Sequence, residues 1–303
     1  MFKPHIPHKY PVQVYRASDV GAPQLKAEAA SLKTLLKTCL INGYGEGVNR
    51  KEPLGWKMFE ETTNTVVFHC DAIENVGLKV ENGEQKYATI HMVGGRRFEQ
   101  YLGYTKQEEN YFAYAKRYAQ PNETQNWVLV GCEAGFILIL PENTKQSKIL
   151  YFGKINGLFD DTGNIVCCNT SWFGYQWFET GYLNGMRGRK YPLMVRSQWR
   201  EGGTAPLSVS ECFVLSPFEN TTVPYPDALY QNTTTSTLIL AEKTGAVRGT
   251  LPALYSCYHD LQNVITELDF VPMSDGQKWL KLNISDVGEA EHCFVLNIEE
   301  WEI

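Results

Sequence analysis

The sequence predicts a mainly β protein: antiparallel sheets in one or two β-rich lobes, with one N-terminal amphipathic α-helix packed on a sheet. Three observations predict it. Beyond residue 45, apolar residues recur mostly at alternate positions, the repeat of a strand with one buried face. Clusters of Gly, Asn and Pro separate these runs at the spacing of packed antiparallel sheets. Only residues 23 to 41 carry apolar residues at three- and four-residue steps. The 17 Tyr, 14 Phe and 7 Trp suit a pleated surface or a sticky assembly surface.

Residues 1 to 16 read as extended, because Pro4, Pro7 and Pro11 each fix φ and remove a donor. The helix is expected over about 23–41. Pro23 suits a first helical turn, and Gly43 stands where a left-handed C-terminal cap belongs. Leu25, Ala29, Leu32, Leu36, Cys39 and Leu40 form its apolar face. Lys26, Lys33 and Lys37 fall on the other face, with Glu28 near the apolar edge.

Strands are then expected in order. TVVFHC is the first, followed by a hairpin in GLKVENGEQKYATIHMV with Asn82-Gly83 as its turn. NYFAYAKRYA places Phe112, Tyr114 and Tyr118 on one side. NWVLVGCEAGFILIL reads as two strands joined through Glu133 and Gly135, and KILYFGKI and NIVCCN follow. The second half continues with YPLMVRS, SECFVLS, STLILAEKTGAVRG, NVITELDF, KWLKLNIS and HCFVLNI. The expected partition is a β-rich lobe over 1–170, a Gly- and aromatic-rich connector over 171–205, and a second β-rich lobe over 206–303.

Composition excludes several classes. With 43% apolar and 20% charged residues in 303, the chain can bury a core and is not disordered overall. A net charge of −6 argues against general nucleic-acid binding, which needs a basic face. No apolar run reaches the length of a membrane-spanning helix. The opening MFKPHIPHKYPVQVY has no apolar core of a secretory signal, so the five Asn-x-Ser/Thr sites at Asn122, Asn169, Asn220, Asn232 and Asn283 are expected to be coincidental. The eight cysteines lack zinc-site spacing and sit largely in apolar runs, as reduced, buried side chains of a cytosolic protein do.

Motifs of chemistry are sparse. There is no G-x-S-x-G elbow and no phosphate-binding glycine loop. His5 and His8 have a chelating spacing but lie in a Pro-rich segment without a carboxylate or cysteine nearby. Asp160-Asp161 precede Thr-Gly-Asn, which is turn chemistry. The reading is therefore of a non-enzyme with no cofactor and no metal. Two stretches are candidates for contact. SWFGYQWF gathers Trp172, Phe173, Tyr175, Trp177 and Phe178 within seven residues. These side chains could fill an inter-lobe plug, anchor a protein interface, or stack on sugars. Arg187 and Arg189 in GMRGRK could meet an acidic partner or a phosphate, or remain solvated.

The segment VYRASDVGAPQLKAEAASLKTLLKTCLINGYG, with Trp56 soon after, resembles the start of a family of tailed-phage and prophage virion proteins. Ser18, Asp19, Ala22, Pro23 and Leu25 match its S-x-D-x-x-A-P-x-L segment. Cys39, Leu40, Asn42, Gly43, Tyr44 and Gly45 match its C-L-V-N-G-Y-G-like exit. NWVLVGCEAGFILIL, LYFGKI, VRGTLPALYSCYHDL and GQKWLKLNISD are similar to later landmarks in the same order. Two departures stand out: Ala253 occupies a position where the pattern has glycine, and VGEAEHCFVLNIEEWEI replaces a Gly-Pro-Trp close, with room for an added strand. The resemblance implies a structural, tail-associated virion component and supplies no catalytic residues. Its expected partners are other virion proteins and further copies of itself, without nucleic acid or membrane. Its expected location is the host bacterial cytoplasm during assembly, then the virion. The alternative is a tail-tip module that binds a receptor or glycan.

Overall fold

The computed structural model describes residues 8–73, 76–85, 87–94, 110–114, 120–143, 146–157, 165–169, 193–195, 212–215, 234–242, 247–258, 270–272, 278–282 and 292–303. Within them the protein is mainly β, with antiparallel sheets and one short helix. A six-stranded sheet runs β15 (Leu193–Val195), β14 (Ile165–Asn169), β12 (Gln146–Lys154), β11 (Gly135–Asn143), β10 (Val128–Cys132) and β2 (Gln13–Arg16). A five-stranded meander follows chain order: β4 (Lys57–Glu61), β5 (Thr65–His69), β6 (Val76–Glu81), β7 (Tyr87–Gly94) and β8 (Asn110–Ala113).

The third sheet runs β16 (Cys212–Leu215), β17 (Thr234–Glu242), β18 (Val247–Tyr258), β21 (His292–Asn297), β20 (Lys278–Leu282) and β19 (Phe270–Pro272), with β13 (Asn156–Gly157) also paired to β18. Two small ladders remain. One joins β3 (Leu25–Lys26) to β9 (Thr124–Gln125), and the other joins β1 (Lys9–Pro11) to β22 (Glu300–Glu302). No helix among the described residues is long and apolar enough to cross a membrane.

The run Val128–Leu140 explains how the layers join. Successive strand residues point to opposite faces, so Leu129, Phe136, Leu138 and Leu140 enter one core while Val128, Val130, Ile137 and Ile139 enter another. The first core also holds the helix residues Leu32, Leu35, Leu36 and Leu40, with Val66, Phe68, Leu78, Val80, Ala88 and Ile90 of the meander. The second holds Leu251, Leu254, Leu280, Leu282 and Leu296 of the third sheet, together with Trp301. A strand buried on both faces needs an unbroken apolar sequence, and FILIL supplies it. The Cys132↔Gly135 pairing closes the predicted hairpin at Glu133 and Ala134.

The N-terminal helix is shorter than predicted. It spans α1 (Ser31–Lys37) and continues as a π-helical turn over Thr38–Asn42. Pro23 does not start it, because Leu25 and Lys26 pair as β3 with Gln125 and Thr124. Ala30 has φ 61, which breaks any helix upstream, and its N–H bonds the Asn82 carbonyl at 2.7 Å. Ala29 is exposed and Ala27 takes the buried place. Lys33, expected on the solvent face, is 7% exposed. Gly43 does adopt a positive φ, 68, but with ψ −179, so it closes the π turn through its N–H to the Thr38 carbonyl rather than forming a left-handed cap.

The Asn82-Gly83 turn also differs. The connection spans residues 82 to 86 between β6 and β7, and Asn82 points inward. At the far end, β21 and β22 lie within the segment after the last landmark, and β22 pairs back with β1.

Ala253 has φ 64 at a bulge. Thr237 pairs with Tyr255 and Leu238 with Leu251, so Pro252, Ala253 and Leu254 are looped out of the β17 ladder. Pro252 needs no ladder donor there. A left-handed L-residue costs about 1–2 kcal/mol, against about 0.4–1 kcal/mol of added freedom when glycine replaces alanine in the unfolded chain. Ala253→Gly is therefore expected to stabilise the fold by up to about 1 kcal/mol, measured by urea denaturation. Ala253→Val, β-branched at positive φ, should lower stability instead. A stabilising Val would contradict the strain.

Candidate functional site

The landmark segments at 15–23 and 39–56 converge on a polar knot beside the helix exit. Asp19 Oδ2 accepts from the Tyr44 hydroxyl at 2.6 Å and from the Arg16 N–H at 2.9 Å. The Lys51 ammonium lies 3.8 Å from the same oxygen and donates to the Val14 carbonyl at 3.1 Å. Tyr44 and Lys51 exchange backbone hydrogen bonds of 3.0 and 2.8 Å. Tyr15 donates to the Glu52 carbonyl at 2.6 Å, and its ring sits 5.9 Å from that of Tyr44.

The glycines of NGYG are dictated by this crossing. Gly43 and Gly45 have φ 68 and 74, and an added Cβ would stand 2.4 Å from the Lys51 carbonyl oxygen and 2.3 Å from that of Asn49. The tryptophans serve the same frame. The Trp56 indole donates to the Cys132 carbonyl at 3.2 Å, and the Trp127 indole donates to the Pro23 carbonyl at 3.1 Å. The first bond ties the helix-exit loop to the central sheet, and the second ties the β3 approach to it.

Burial dominates the electrostatics of the knot. Burial pushes the Tyr15 hydroxyl well up, and burial followed by Asp19 does the same for Tyr44. Burial, then the Asp19 charge, pushes the Cys39 thiol up as well. Each keeps its proton at neutral pH, so none serves as an anionic nucleophile there. Cys70 and Cys132 are buried free thiols, both pushed up to about 12 chiefly by burial.

His8 lies edge-on to Tyr10 with ring centroids 4.5 Å apart, while His5 falls outside the described residues. No group of three or more His, Cys, Asp or Glu side chains among the described residues could hold a metal ion.

The sequence-predicted contact residues Trp172, Phe173, Tyr175, Trp177, Phe178, Arg187 and Arg189 lie outside the described residues, as do Asp160 and Asp161. Two features have no counterpart in the sequence reading. Asn82 caps the helix from a different hairpin. Glu61, at the end of β4, holds two lysines of the helix: Lys33 at 2.9 Å and Lys37 at 2.6 Å. The Lys33 ammonium also donates to the carbonyls of Thr62 and Thr63. Only paired hydrogen bonding makes a buried ammonium tolerable.

The Lys37 and Lys33 bonds hold the Glu61 carboxyl below its ordinary value. Its stabilisation is thus complete above the unfolded-chain value and fades as pH falls through the lower folded one. Glu61→Gln should cost about 1–2 kcal/mol at pH 7, between exposed and buried pairs. The cost should shrink in urea melts below pH 4, and a pH-independent cost would contradict the pairing. The chain matches no protein-family model, and no curated protein matches it.

Proposed function

We propose that the protein is a structural, tail-associated component of a phage or prophage virion, acting through protein–protein contacts and without catalysis. One observation carries the reading: landmark residues of the family pattern occupy positions that this backbone constrains. Asp19 and Tyr44, distant in sequence, meet at 2.6 Å, and Gly43 and Gly45 take positive φ. The coincidence extends to the departure, since Ala253 replaces a pattern glycine at a position with φ 64. Such residues preserve a scaffold, and a scaffold without a recognised reaction works through its surfaces. The protein would assemble in the bacterial cytoplasm and leave in the particle.

Co-expression with the products of its neighbouring genes tests this. A complex that survives gel filtration with a virion subunit is the expected result; a chain that binds none of them would overturn it. The tail-tip alternative draws on SWFGYQWF. A glycan array separates it: binding lost in folded Trp172→Ala and Trp177→Ala variants would favour the alternative.

A further inference from the structure

The third sheet brings two cysteines into register. In the ladder between β18 and β21, Cys257 pairs with Cys293, between the Ser256↔Phe294 and Tyr258↔His292 pairs. Among the described ladders no other sets cysteine opposite cysteine. Cys132 pairs with Gly135, Cys167 with Phe152 and Met194, Cys168 with Tyr151 and Leu193, and Cys212 with Glu242. Residues opposed in an antiparallel ladder lie on one face of the sheet.

The kind of pair follows from its neighbours. The Ile298 N–H donates to the Lys278 carbonyl at 3.1 Å, one step beyond the Trp279↔Asn297 pair. Both backbone groups of a strand residue point to the same side, and successive residues alternate. Ile298, Leu296 and Phe294 thus bond towards β20, while Val295 and Cys293 bond towards β18. Cys257 and Cys293 are therefore a hydrogen-bonded pair, for which Cα atoms stand about 5.5 Å apart. A disulfide needs a Cα separation of roughly 4.4–6.8 Å, so bridging requires no shift of register.

We propose that Cys257 and Cys293 form a disulfide site, a dithiol in a reducing cytosol and a cross-strand bond once the chain meets an oxidising medium. A small-molecule disulfide such as oxidised glutathione suffices as oxidant. One cysteine thiolate displaces a glutathione thiol and forms a mixed disulfide; the second cysteine displaces the other and closes the S–S bond. Two electrons pass from the cysteines to glutathione, and the two thiol protons end on the released thiols. The bond closes residues 257 to 293, with β19 and β20, into a loop. It also fixes β21, which leads into β22 and its ladder with β1. The site stands on the register alone; only the moment of closure, on leaving the host, rests on the virion reading.

Peptide mapping without reductant tests it on the full chain. Trypsin places each cysteine alone, in residues 249–278 and 282–303. After incubation with oxidised glutathione and alkylation, the two peptides should appear joined and should separate on reduction. Cys257→Ser should abolish the joined species. The oxidised parent should melt about 5 °C or more above its reduced form, a gain absent from the folded Cys293→Ser variant. A second sample, refolded from urea with the same reagent, gives access if the folded sheet excludes it. Absence of the joined species from both samples, or either cysteine joined to a different partner, would overturn the site. That failure leaves the virion reading standing, and particles lacking the chain would leave the bond standing.

Discussion

Asn82→Ala should destabilise the protein by about 2–4 kcal/mol, far more than a loop substitution usually does. The Asn82 side chain is fully buried. Its Oδ1 accepts the N–H groups of Leu32 at 2.9 Å and Lys33 at 3.3 Å, two of the first donors of α1. Those donors have no local partner, because Ala30 at the N-cap offers no side-chain oxygen. The amide donates in turn to the Glu84 carbonyl at 3.1 Å and the Tyr114 hydroxyl at 3.0 Å.

Alanine would leave the buried Leu32 and Lys33 N–H groups without their acceptor, while the Tyr114 hydroxyl keeps the Glu28 and Glu84 carbonyls at 2.7 and 2.9 Å. Asn82→Asp keeps the acceptor and loses the donors, so it should fall between parent and Ala. Urea denaturation at neutral pH measures both. A loss below about 0.5 kcal/mol for Ala, the range of surface changes, would remove Asn82 as the helix cap.

Trp301→Ala should cost about 3–5 kcal/mol, the range for truncating a buried aromatic. Trp301 is fully buried in the core shared by the central and third sheets, and its indole donates to the Asn297 carbonyl at 2.9 Å. It also stands opposite Tyr10 in the ladder that joins the two ends of the described chain. Ile303 and His8 exchange backbone bonds of 2.9 and 2.7 Å at the end of that ladder. Truncation should therefore loosen β1 and β22 together. Hydrogen exchange should show Tyr10 losing protection along with residues 300 to 303. A parent-like melting point, or protection lost on one strand alone, would contradict a joint clasp.

What was legible in the sequence follows from what each element depends on. The FILIL hairpin was readable because its strands are adjacent and their turn is local. The two-sided burial of that hairpin was not, since an apolar run reads alike whether one core or two receive it. The helix shows the opposite case. Leu32, Leu36, Cys39 and Leu40 identified its buried face, while its start was set by Asn82 and by the β3–β9 ladder, both distant in sequence.

The exposed strand KMFEE carries no apolar alternation, so only its ladder to β5 reveals it. In the knot, Gly43 was read as a left-handed helix cap; it takes a positive φ but closes a π turn instead. The bond from Tyr44 to Asp19 spans 25 positions, and no spacing rule announces it.

The proposed virion role is tested by mass spectrometry of gradient-purified particles, prepared from the strain that carries the gene after prophage induction or phage infection. Under that role the chain is expected in the particles, at a fixed ratio to the tail proteins across gradient fractions. A chain abundant in the lysate and missing from the particles would contradict it.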